Sequence, residues 1–129
     1  MNGYFAFSQL VTGGMSLYTL PPCRILDTRP FIGEFQGERT VPVTTGNNCS
    51  VSGTAKAYVM NATVLPPAPL DFLTLWEDGT TQPGVSTLNA SDGETTSNMA
   101  IIGTTNGSID AFASQPTQLI LDISAYFAP

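Results

Sequence analysis

Glycine and proline recur every few residues along this chain, and the runs between them never sustain a helical period. Twelve glycines and ten prolines divide 129 residues into short stretches rich in Val, Ile, Thr, Tyr and Phe. A helix needs an apolar repeat near 3.6 residues held over ten or more positions, whereas short β-branched and aromatic runs bounded by turn residues specify strands. Many such strands in one chain specify a sandwich or a barrel.

The clearest strand runs from Thr117 to Phe127. Leu119, Leu121, Ile123, Ala125 and Phe127 share one face, and Ile120, Asp122, Ser124 and Tyr126 the other. The next clearest is Ala55–Leu65, where Tyr58, Met60, Ala62 and Val64 share a face. Further strands are expected at Ser16–Leu20, Cys23–Thr28, Arg39–Val43, Leu70–Glu77, Val85–Leu88, Asn98–Thr104 and Ser108–Ala113. Asn106-Gly107 signals a hairpin between the last two, because both residues accept positive φ. Pro66-Pro67-Ala68-Pro69 is a rigid crossover that no central strand accommodates. The expected fold is an all-β, antiparallel two-sheet sandwich with jelly-roll-like connections over residues 16–129. Residues 1–15 form a linker or a donor-type strand ahead of it.

Composition narrows the function. Apolar residues make up 42% of the chain, enough to fold, but charged residues only 11%. The polar surface is therefore built from Thr, Ser, Asn and Gln. The net charge is −6, with four cations, Arg24, Arg29, Arg39 and Lys56. Four scattered cations cannot neutralise a run of phosphates, which argues against nucleic acid and anionic membrane as partners. No stretch is long and apolar enough to span a bilayer. The N-terminus does not read as a signal peptide, so a secreted form has lost its leader or is an excised piece.

Histidine is absent, which removes the commonest general base and transition-metal ligand. A hydrolytic triad would depend on Lys56 or a carboxylate, and Gly-x-Ser-x-Gly does not occur. Neither an enzyme nor a cofactor is expected. The turns Glu77-Asp78-Gly79 and Asn89–Glu94 are oxygen-rich but lack the ligand spacing of an EF-hand, so they read as solvated turns rather than calcium sites. Trp76, Tyr58, Tyr18 and Tyr126 sit in strand patterns that favour packing over sugar stacking. Asn61, Asn89 and Asn106 each open an N-x-Ser/Thr triplet.

Three groups of residues stand out. Cys23 and Cys49 each border a turn-rich stretch and read as one disulfide, which implies an oxidising location; two separate buried thiols in a reducing compartment are the alternative. Arg24, Asp27, Arg29 and Asp122 form an expected ion-pair network joining the first and last strands. Strand alternation puts Asp27 with Arg29 on one face and Arg24 on the other. Tyr4, Phe5, Phe7, Leu10 and Val11 make an apolar leading segment suited to adding as a strand to a sheet edge of a neighbouring copy.

Five segments in order carry a family resemblance: Pro22–Arg29, Ala57–Val64, Phe72–Trp76, Ser86–Asn89 and Leu119–Phe127. Together they resemble a tandem-repeat domain of secreted acidobacterial and actinobacterial surface proteins, over roughly residues 16–128. Ala125 stands where that family usually has Gly. The resemblance implies a repeat unit of cell-surface or extracellular proteins and carries no activity across. Asn2–Ala6 echoes Ser124–Ala128, as expected if the start were the tail of a preceding copy. The expected function is a structural subunit of an extracellular filament or array, with other copies of itself as partner. The alternative is an adhesin or carbohydrate-binding module with glycans as partner.

Overall fold

The computed structural model describes residues 14–129. Seven antiparallel strands and no helix are present among them: β1 (Ser16–Asp27), β2 (Phe35–Pro42), β3 (Ala57–Leu65), β4 (Leu70–Glu77), β5 (Leu88–Ala90), β6 (Thr96–Gly103) and β7 (Ser108–Ala128). The apolar leading segment with Tyr4, Phe5, Phe7, Leu10 and Val11 lies outside the described residues.

The organising element is β7, 21 residues long. Its C-terminal part lies between β1 and β3, and its N-terminal part between β2 and β4. Residues 28–33 leave β1 and return, closed by Gly33 N–H donating to Thr28 O at 2.7 Å. β1 and β2 therefore follow one side of β7, and β3 and β4 the other. β6 extends the sheet beyond β3, and β5 extends it beyond β4. The result is one continuous antiparallel sheet, bent into a nearly closed, barrel-like shape. This differs from two separate sheets because a single strand serves both halves.

Proline explains the bend. Opposite Gln36, β7 carries three residues, Ser114, Gln115 and Pro116, and the ladder breaks there. Pro116 has no N–H to donate, so it fits where pairing is already interrupted. Pro30 and Pro66-Pro67-Ala68-Pro69 fall in the connections of the flanking strands at the same level. Above and below this crease the inward faces meet in one core. Tyr58, Met60, Ala62, Val64, Leu73, Ile109, Ala111, Leu119, Leu121 and Ile123 are all fully buried in it.

Several expectations change in detail. Pro21-Pro22 does not divide the first strand: residues 20–22 of β1 bulge out opposite Ser124, and β1 continues. Ser124 is also extra relative to β3. A one-residue bulge reverses which side chains point inward, so Tyr126 rather than Phe127 packs against the core. The turn at Asn106-Gly107 forms, with Gly107 at φ +84°, but it is no hairpin. β6 pairs with β3 while β7 pairs elsewhere, so this turn carries the chain from one half of the sheet to the other. β5 begins only at Leu88, because the preceding residues fold over β4: Thr74 Oγ1 donates to Val85 O and Leu75 N–H to Thr87 Oγ1.

The Cys23–Cys49 disulfide is present, with Cα atoms 5.6 Å apart. It anchors β1, the most exposed long strand, to the segment that follows β2.

Candidate functional site

Arg24 on β1 faces Asp122 on β7 across the ladder. Its Nε donates to Oδ1 at 2.9 Å and its Nη2 to Oδ2 at 3.4 Å. Strand alternation assigned Arg24 and Asp27 to opposite faces. The register shift at Ile25 overturns that: one extra residue brings both to the outer face, and Arg24 Nη1 lies 3.4 Å from Asp27 Oδ2. Arg29 grips the same carboxylate in a fork, Nε to Oδ1 at 2.9 Å and Nη2 to Oδ2 at 2.7 Å, while its backbone N–H donates to Oδ1 at 3.1 Å. These bonds from Arg29 pull the Asp27 carboxyl down to about 2, against the cost of its desolvation. The same pairings raise the pKa of Arg24 and Arg29.

Both guanidiniums are about half exposed, 51% for Arg24 and 46% for Arg29. Pairs this wet are worth roughly 0–1 kcal/mol each, so the network fixes orientation more than it stabilises the fold. What it orients is the β1–β2 loop. Thr28, fully buried, pins the loop's base: its Oγ1 donates to Gln118 Oε1 and accepts from Leu119 N–H, and its N–H donates to Leu119 O. Gly33 closes the far side at φ +88°, a conformation natural to glycine. At the tip Phe31 is 97% exposed and Ile32 51%. Sequence reasoning passed over both residues. Their signal was an apolar pair bracketed by Pro30 and Gly33 in a turn, where no core can cover it.

A second feature lies on the outer face of the other half. Phe72, Thr74, Pro83, Val85, Ser86 and Asn89 line an open hole of about 310 Å³ between β4 and residues 80–87. The Phe72 ring is steadied by stacking on Phe112, centroids 5.7 Å apart. Farther along the same face, Asp110 is 3% exposed and accepts a bond from Thr40 Oγ1 at 2.8 Å. Burial raises its pKa, and the nearby carboxylates of Asp78 and Glu38 raise it further.

The other sequence candidates fall as follows. Trp76 is buried, with Nε1 donating to Thr80 O; Tyr58 is in the core; Tyr18 stacks on Tyr126 at 5.3 Å. In the acidic turns, Asp78 accepts from Asn106 Nδ2, and Asp92 accepts from Glu94 N–H. Among the described residues no group of three or more potential metal ligands converges, and no helix is long and apolar enough to cross a membrane. Asn61 and Asn89 spend their side-chain amides on local bonds to Thr63 and to the Asp71 carbonyl.

Fold and surface together define a disulfide-closed antiparallel β-domain with a braced apolar loop on one flank and an open hole of mixed polar and apolar lining on another. No family model, curated protein or solved structure matches the chain.

Proposed function

We propose that this chain is a non-catalytic extracellular module, a subunit of a cell-surface filament or array, in which residues 4–11 of one copy add as a strand to the sheet of the next. The observation that carries this reading is the character of β6. Edge strands that must stay unpaired are guarded by prolines, bulges or inward-pointing charge. β1 carries Pro21, Pro22 and two register shifts, and β2 carries Pro42, a break at Gln36 and the cation Arg39. β6 has none of these. It pairs with β3 over eight residues in unbroken register, its sequence TSNMAIIG is uncharged, and Met99 is 62% exposed. Such an edge suits strand addition, with main-chain bonds for affinity and alternate apolar side chains for fit.

Head-to-tail addition of this kind does not close, so it extends into a fibre. The disulfide supports an oxidising, extracellular setting, and the resemblance to tandem-repeat surface domains agrees with it. Deletion of residues 2–12 tests the reading by electron microscopy: the full chain forms filaments and the deletion does not. Fibres unchanged by the deletion would overturn it. The alternative of a glycan-binding module draws on Tyr18, which is 42% exposed in its stack on Tyr126. A glycan array without hits would dispose of it.

A further inference from the structure

We infer that Asn106 is a modification site held shut by the fold: its side-chain amide converts to a carboxyl, through a cyclic imide formed with Gly107, when the turn around it opens and not while that turn is closed. This chemistry lies within one chain and does not rest on strand addition.

Asparagine followed by glycine is the pair in which such a ring closes most easily, because glycine has no Cβ to shield its backbone nitrogen. The fold nevertheless demands the pair. Gly107 sits at φ +84°, and a Cβ there would lie 2.5 Å from Thr44 Oγ1, so no side chain fits. Asn106 uses both ends of its amide: Nδ2 donates to Asp78 Oδ2 at 2.8 Å, and Oδ1 accepts from Ser108 N–H at 2.9 Å. An aspartate at this position could make only the second bond.

In the reaction Gly107 N attacks Asn106 Cγ. The N–Cγ bond forms, the Cγ–Nδ2 bond breaks, and the side-chain nitrogen leaves as ammonia with the proton from Gly107 N–H. Water then opens the imide at either carbonyl, leaving an aspartyl or an isoaspartyl residue. In the closed turn each reacting group is engaged elsewhere. Gly107 N–H donates at 3.0 Å to Oγ1 of Thr104, which is itself buried. Gly107 O accepts from Val43 N–H at 2.9 Å and from Thr44 N–H at 3.3 Å, which fixes the same residue from the β2 side. The N–H must leave Thr104, and the side-chain amide must turn off Asp78 and Ser108, before the nitrogen can approach Cγ. The rate therefore follows local opening of the turn.

Conversion also keeps the turn from closing as before. The new carboxylate cannot donate to Asp78 and sets a like charge at that 2.8 Å contact, close to Asp110, whose carboxyl Asp78 already perturbs. The isoaspartyl product lengthens the main chain by one methylene and moves Gly107 O away from Val43 and Thr44. This turn carries the chain from one half of the sheet to the other, so the crossing loosens.

The test incubates the full chain at mildly alkaline pH, folded and in urea, and follows amide-to-acid conversion by peptide mapping with mass spectrometry. Asn2-Gly3 is the other Asn-Gly pair of the sequence and calibrates the unfolded rate. In urea the two sites should convert equally fast, and in the folded chain Asn106 should convert at least about tenfold more slowly than in urea, the equivalent of roughly one hydrogen bond to a charged group. Asp78→Ala should recover most of that factor without urea, while Asp78→Asn, which keeps an acceptor for Nδ2, should stay near the wild-type rate. Trp76 emission reports that each variant is folded, since that ring is buried. Asn106→Asp, one of the two products, should melt below the wild type at neutral pH and regain the difference as acid protonates the carboxyls. Equal rates for Asn106 in the folded chain and in urea would overturn the inference, as would an Asn106 that stays intact in urea while Asn2 converts.

Discussion

Removing the disulfide should cost about 3.5 kcal/mol of global stability. The bridge spans 26 residues of chain, and loop-closure entropy for n residues is roughly 2.1 + 1.5R ln n cal/mol/K. With n near 26 that is about 12 cal/mol/K, or ~3.5 kcal/mol at 25 °C. A domain of ordinary stability has only about 5–15 kcal/mol in total, so the loss is a large fraction of it. The assay is urea unfolding of Cys23→Ala/Cys49→Ala, followed by tryptophan fluorescence, since the single tryptophan, Trp76, is buried. The predicted effect is global, because the cross-link acts on the unfolded chain. The competing expectation is local. β1 has one buried residue in twelve, Ile25, itself 9% exposed, and pairs in the sheet only with β7, so the bridge could serve merely to hold that strand down. Native-state hydrogen exchange separates the two. Protection falling in β3, β4 and β7 along with β1 agrees with the entropic reading. Faster exchange confined to Ser16–Asp27, with a midpoint shift worth under about 1 kcal/mol, would refute it.

Two carboxyls give opposite pH signatures. Asp27 titrates at about 2 in the folded chain against 3.8 for an unperturbed group, so its contribution is complete above pH 3.8 and is lost as pH falls toward 2. Linkage sets a ceiling of about 2 kcal/mol, and solvent around the half-exposed arginines reduces it to about 1. Asp27→Asn should therefore cost about 1 kcal/mol at pH 7, a cost that shrinks as pH falls from 3.8 through 2; a cost that does not change over that range would mean the charge is not the source. Asp110 is raised in the folded state by burial and by Asp78 and Glu38, so it destabilises as pH rises above 3.8. Asp110→Asn retains an acceptor for Thr40 and should raise the thermal midpoint at pH 7, with the gain vanishing below pH 3.8. A lower midpoint at pH 7 would show that the ionised form is required.

Where side-chain chemistry acts locally, the sequence is readable. β4 has the expected bounds, and the inward faces of β3 and of the middle of β7 follow simple alternation. Two of the failures trace to proline, and others to bulges without one, as at Ile25. Proline marks the loss of a hydrogen bond, which either ends a strand or sits at a bulge, and local reading takes the first meaning. β1 and β7 take the second, at Pro21-Pro22 and Pro116. Every bulge then shifts the alternation downstream, which is how Arg24 came to share a face with Asp27 and how Tyr126 replaced Phe127 in the core. The network at Arg24, Asp27, Arg29 and Asp122 was legible as a set of residue types but not as geometry. The Phe31 loop carried only the signal of an apolar pair between Pro30 and Gly33, which reads as a strand end until the path of the chain leaves it uncovered.

The two borders of the sheet differ in a way that bears on assembly. On the β1–β2 border, Arg39 lies opposite fully buried Ala111 in the ladder. Its guanidinium sits 5.9 Å from the centre of the Phe35 ring, and its Nε is buried without a hydrogen-bond partner. A strand arriving there would cut the water off from a cation already short of acceptors, a cost of several kcal/mol if nothing pairs with it. On the β6 border the next side chains are Asn98, Met99 and Ile101, and covering Met99 removes apolar surface from water at about 25 cal/mol per Å². Strand addition is thus opposed at one border and favoured at the other. Under the proposed strand addition, a chain with one permissive edge would grow in a single direction without also pairing edge to edge, so the polymer would be polar and unbranched.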